Sequence, residues 1–219
     1  MKSIPEMNTK SVSAFTRVDV VVMLVVATAM LALWLLYGGA GAIRHRPRPG
    51  ARVLCTSNLK QVALAFSLWE ADRNLTNFPW EVSAPIGTAA DAQSTNVFRH
   101  FAVISNELQN LRVLTCPADK TRKPASSWRA LRNDNISYFI NVTPSLDVQS
   151  VIAGDRNLST NGCALSGYAT ISDASKLAWT KLIHENVGNV AITDGSVHQI
   201  TTRQLRQYFT NTTPHLAIP

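Results

Sequence analysis

The sequence predicts an α+β chain: an N-terminal transmembrane anchor helix, followed by a head in which a helix packs on an antiparallel β-sheet. Three observations carry this prediction. Val20 to Tyr37 is an apolar run with a single polar residue, Thr28, and a spanning helix needs about 20 such residues. Leu59, Val62, Phe66 and Trp69 recur at three- and four-residue steps, the spacing that lines one face of a helix. Asp194-Gly195 stands between two β-rich runs, a strong hairpin signal, because a type I′ turn needs positive φ at both central residues.

The elements follow in order. Residues 1–17 are polar, with Lys2, Lys10 and Arg17, and the apolar helix begins near Val18. Gly38 to Gly50 combines glycines with Pro47 and Pro49, a poor helix interior and hence a neck. Ala51 to Asp72 carries the apolar stripe and reads as a helix, ended by Asn74 and the Asn77-Phe78-Pro79 turn. Residues 83–96 are small and polar and read as a loop. A third helix is expected from Val97 to Leu108. Leu111 to Cys116 reads as a short strand stopped by Pro117, and Ile136 to Val142, β-branched and aromatic, as another. In the final hairpin a two-residue loop would pair Ile192 with Val197.

The net charge is +7, and the excess is clustered. Arg44, Arg46, Arg48 and Arg52 follow the apolar run, and Arg112, Lys120, Arg122, Lys123, Arg129 and Arg132 form a second group. This pattern fits a solvated surface and attraction to anionic headgroups. No aromatic-interleaved basic segment of the kind that stacks bases is present, so nucleic acid is not an expected partner.

The three cysteines, Cys55, Cys116 and Cys163, contain no C-x-x-C pair, so neither a zinc motif nor a thioredoxin-type motif is indicated. One disulfide and one free thiol fit an oxidising compartment. Sequence does not fix connectivity. Cys55 lies on the amphipathic helix beside the neck, which leaves Cys116 with Cys163 as the expected pair. His184 and Asp194 admit a reading as a catalytic pair, but Asp in a hairpin turn is favoured for backbone reasons. A structural role for His184, Asp194 and Gly195 is therefore expected. No metal site, cofactor or enzymatic activity is expected, since Asp155, Asp173 and Glu185 are scattered and a cation would need converging ligands.

Ala14, Phe15 and Asp19, ahead of the long apolar run, resemble the processing signal of the prepilin family: a small residue, a phenylalanine, and an acidic residue at the fifth mature position. Ala14 stands where that family commonly has Gly, and Asp19 where it commonly has Glu. Three further segments extend the likeness to a large family of prepilin-like bacterial proteins. They are Cys55 to Asn74, Leu114 to Lys120 with its Cys-Pro-x-Asp element, and His184 with Asp194-Gly195, spaced His-x9-Asp-Gly.

The resemblance implies residues 1–14 as a leader, cut between Ala14 and Phe15 by a prepilin peptidase, with methylation of the new amine. It implies 15–37 as the anchor, 38–50 as the neck and 51–219 as a pilin-like head. The expected protein is a single-pass protein of the bacterial inner membrane with its head periplasmic or outside. It would be a structural subunit of a type II secretion or type IV pilus-like assembly, partnered by other pilin-like subunits or the secretion machinery. Two alternatives stand beside it. One is an anchored envelope protein with a ligand- or partner-binding head. The other is a soluble secreted protein cleaved after Ala42, where Ala40-Gly41-Ala42 fits a signal-peptidase site.

Overall fold

The structure is a computed structural model that describes residues 16–37, 49–144 and 149–219. The chain divides into two units, Met1–Arg46 and Pro47–Pro219.

In the first unit, helix α1 covers Arg17–Tyr37. Its start is set by a reciprocal cap. The Asp19 carboxylate accepts from the Thr16 backbone N–H (2.9 Å) and hydroxyl (2.7 Å), while the Asp19 N–H donates to Thr16 Oγ1 at 3.3 Å. Such a pair satisfies donors that a helix start otherwise leaves open. The side chains of α1, described as far as Leu33, are exposed throughout.

The expected transmembrane anchor is corrected here. Among the described residues no helix is long and apolar enough to cross a membrane. Arg17 and Asp19 occupy the first turn. From Val20 to Tyr37 α1 rises about 27 Å at 1.5 Å per residue, against a hydrocarbon core about 30 Å thick. The expected single-pass placement in the inner membrane falls with it. The chain is α+β with an antiparallel sheet. Ala14, Phe15 and the neck arginines Arg44, Arg46 and Arg48 lie outside the described residues.

In the second unit, helix α2 runs Pro49–Asp72. Cys55, Leu59, Val62, Phe66 and Trp69 are all fully buried on it, at steps of four, three, four and three. Each large apolar side chain buried this way stabilises by about 1.5–3 kcal/mol. The helix closes on Asn74 at φ 52°. Leu75 N–H donates to Glu70 O and Asn74 N–H to Ala71 O, the two bonds of a Schellman end. The expected helix from Val97 to Leu108 is instead two short ones, α3 (Phe98–Ala102) and α4 (Ser105–Leu108).

The strands are β1 (Tyr138–Asn141), β2 (Val151–Asp155), β3 (Leu158–Thr160), β4 (Cys163–Ala164), β5 (Gly167–Thr170), β6 (Leu177–Trp179), β7 (Val187–Ile192), β8 (Val197–Thr201) and β9 (His215–Ile218), with helix α5 at Thr202–Tyr208. A six-stranded sheet is ordered β5-β9-β1-β2-β7-β8, and a three-stranded one β4-β3-β6. All pairings are antiparallel. Alternate residues of the large sheet serve two cores. Tyr138, Ile140 and Ala191 face the α2 side, while Phe139, Val190 and Leu216 face Trp179, Leu205 and Phe209. The β2–β7 register shifts between Val151 and Ala153. This irregularity accounts for adjacent Ile152 and Ala153 both lying in the α2-side core.

Two further expectations change. Leu111–Leu114 is a 3-10 turn, not a strand. The Asn110 side chain accepts from Arg112 N–H, and Val113 N–H and Thr115 N–H bond back to Asn110 O and Arg112 O, which withdraws these groups from any ladder. The final hairpin pairs Ala191, not Ile192, with Val197. Its loop has three residues: Gly195 N–H donates to Ile192 O, Ile192 N–H donates to Ser196 O, and Gly195 alone takes positive φ, 79°. This is a turn followed by a bulge, the common three-residue solution.

Candidate functional site

Four segments distant in sequence meet beneath α2. The first turns of α2 supply Cys55, the loop after the 3-10 turn supplies Cys116 and Asp119, the end of β2 supplies Asp155 and Arg156, and the approach to β7 supplies His184, with Asn189 inside β7. Cys55 and Cys116 form a disulfide, closing a separation of 61 residues. The expected Cys116–Cys163 pair is thus corrected: Cys163 is a free, exposed thiol on β4. Cys55 projects from the same buried stripe as Leu59 and Val62, inward rather than toward the neck, and that orientation delivers its sulfur to Cys116.

His184 is 2% exposed. Its Nε2 lies 3.4 Å from Cys116 Sγ and 3.5 Å from Asp155 Oδ2. Burial, then the nearby Arg52 charge, pushes His184 below its ordinary value, so the imidazole is held neutral. Asp155 is fully buried. Its Oδ2 accepts from the Asn189 backbone N–H (2.7 Å) and side-chain amide (2.8 Å). Burial pushes its carboxyl up to about 7, against the pull of these two bonds. Its other oxygen, Oδ1, meets no hydrogen-bond partner among the described residues. Tyr138, its register partner on β1, is raised well above the ordinary phenol value, by burial first and then by Asp155.

Asp119 forms a second layer. Arg156 holds it through Nε at 2.8 Å and Nη2 at 3.1 Å, Ser137 Oγ donates at 2.9 Å and Thr121 Oγ1 at 2.8 Å. Burial opposes its ionisation, but the Arg156 fork and these hydroxyls outweigh burial and hold the carboxyl below its ordinary value. Beside Cys116 opens a cleft of about 410 Å³ lined by Arg112, Lys120, Arg122 and Lys123. It draws on the second basic group of the sequence.

The structure therefore brings together Cys116 and His184, and adds Cys55 and Asp155. It leaves Asp194 and Gly195 apart. Asp194 is exposed past the end of β7, where its carboxylate accepts Ser196 N–H at 2.8 Å. Bonds from Ser196 hold it below the ordinary carboxylate value. A His184–Asp194 catalytic pair is excluded by the six-residue length of β7 between them. Chemically, the cluster can hold a proton between Asp155 and His184. It offers no thiolate while Cys116 is in the disulfide. Sequence alone does not single out Asp155 or Asn189 as site residues. Their signal was a polar residue at an inward position of an otherwise apolar strand.

Comparison with protein-family models, with curated proteins and with solved structures finds no match for this chain.

Proposed function

We propose that this chain is a prepilin-like structural subunit of a type II secretion or type IV pilus-like assembly, joined to neighbouring copies through α1. The observation that carries the reading is α1 itself. Val18, Val22, Met23, Leu24, Val25, Met30 and Leu31 are each more than half exposed, a contiguous apolar surface that a soluble monomer rarely presents and that marks an interaction site. Of the signal residues, Ala14 and Phe15 precede α1 in the sequence and Asp19 lies in its first turn. The convergence of Cys55, Cys116 with Asp119, and His184 supports the same reading, because three separate motifs of the resemblance serve one cluster that ties the head together. The role of that cluster is structural, not enzymatic. Asp19 is already engaged by Thr16, so its task in this chain is to start α1.

Intact-mass measurement of the chain recovered from its native host tests the proposal. A mature chain beginning at Phe15 is expected. A chain that retains residues 1–14 contradicts processing by a prepilin peptidase.

A second reading, a head that binds an anionic partner, is favoured by the basic cleft beside Cys116. Charge reversal at Arg112 and Lys123 that abolishes function while assembly persists would select it.

A further inference from the structure

We propose that Cys55, Cys116, His184 and Asp155 form a latent site for a zinc-type divalent cation, opened by reduction of the Cys55–Cys116 disulfide. The ligand atoms of Cys55, Cys116 and His184 lie within 4.8 Å of one another, and Asp155 Oδ2 lies 3.5 Å from His184 Nε2. A tetrahedral zinc with bonds of about 2.3 Å to sulfur and about 2.0–2.1 Å to nitrogen or oxygen sets its sulfur and nitrogen ligands about 3.6 Å apart, and its nitrogen and oxygen ligands about 3.3 Å apart. The observed 3.4 Å from Cys116 Sγ to His184 Nε2 and 3.5 Å from His184 Nε2 to Asp155 Oδ2 lie within a few tenths of an ångström of these. The two sulfurs, bonded in the disulfide, must separate to about 3.8 Å as their side chains turn toward the cation.

A second, independent observation points to a ligand. Asp155 is a fully buried carboxyl whose Oδ1 has no partner among the described residues. Buried polar oxygens without partners are rare in native proteins and call for an explanation. A cation that binds the carboxylate through both oxygens supplies Oδ1 with a partner. His184, held neutral, keeps a lone pair free for a metal. The two segments that the disulfide ties together are among those a metal would tie together in its place.

The reaction balances with a dithiol reductant. One reductant thiolate attacks a sulfur of the Cys55–Cys116 bond and breaks it. The second reductant thiol displaces the mixed disulfide, so the reductant is oxidised to its own disulfide and Cys55 and Cys116 leave as thiols. The cation then binds both sulfurs and releases their two protons to solvent. Cys116 borders the cleft lined by Arg112, Lys120, Arg122 and Lys123, whose positive charge favours an incoming thiolate.

The test uses the full chain with Cys163→Ser, so that only the two cysteines of the site remain. Cobalt(II) is titrated into the oxidised protein and into protein reduced with a phosphine, with circular dichroism followed in parallel. The reduced protein is expected to give a saturable 1:1 thiolate-to-cobalt charge-transfer band with tetrahedral d–d bands, displaced by zinc, while the oxidised protein gives none. His184→Ala and Asp155→Asn should each weaken cobalt binding by at least about tenfold, since even outer-shell partners contribute that much. The proposal is overturned if folded, reduced protein gives no charge-transfer band, or if affinity is unchanged in both variants. It is equally overturned if reduction unfolds the head and zinc fails to restore it.

Discussion

Asp155 is a carboxyl group inside a sheet, facing Tyr138, His184 and Asn189, and its energetics depend on pH in a definite direction. Its folded value of about 7 stands above the ordinary 3.8, so the native state holds its proton more tightly than the unfolded chain does. The stability this contributes is fully present below about pH 3.8 and is lost as pH rises through about 7. His184 has the opposite sign: its folded value is depressed, so its share of stability is present above the ordinary histidine value and lost as pH falls. Comparing wild type with Asp155→Asn isolates the carboxyl. Relative to wild type, the variant should gain stability between pH 4.5 and pH 8 in urea melts. An unchanged difference between the two proteins at both pH values would refute this assignment.

The neighbouring Gly154 is a steric requirement. An added Cβ would lie 2.6 Å from Phe139 Cε1 and 2.9 Å from Asn189 O. Gly154→Ala should destabilise the head by about 1–3 kcal/mol, as overpacking of a core does, read as a fall in melting temperature. At Gly195 nothing lies within reach of a Cβ, and the cost is set by φ of 79°. Gly195→Val should lower the melting temperature through backbone strain alone, whereas Asp194→Asn should leave stability and function unchanged. The turn residues were legible in the sequence because Asp-Gly has local causes. Asp155 was not, because its meaning depends on β1, β7 and His184, none of which is near it in the chain.

At the level of elements, α2 was the most legible part. Its apolar period is local and long, and its end at Asn74 follows from a residue that tolerates positive φ. Leu111–Cys116 misled because leucine and valine suit a strand, while the bonds made by Asn110 and Arg112 favour a 3-10 turn packed under α2. The cysteine pairing was hidden for a related reason: position beside the neck says nothing about which way Cys55 projects. The disulfide spans 61 residues, and closing a loop of that size stabilises by about 4 kcal/mol in the chain-entropy account. Cys116→Ser should therefore lower stability by roughly that amount, and Cys163→Ser should have no measurable effect. Peptide mapping without reduction should yield a Cys55–Cys116 linked pair and an alkylated Cys163.

At the scale of the whole molecule, the head has its own two-sided core and α1 presents uncovered apolar side chains. The sequence located α1 correctly, because composition alone reveals an apolar run. What the run does could not be read from composition, since an apolar helix suits a bilayer and a helical partner equally. The central claim is that α1 packs against α1 of further copies. A photoreactive residue placed at Val22 or Val26 of the full chain, irradiated in the native host, tests it most directly. A ladder of adducts is expected in steps of the 24.0 kDa chain, shortened by the mass of the leader where that is removed, with α1 peptides linked to α1 peptides. Irradiation that yields only single chains, or no adduct between two copies, would contradict it.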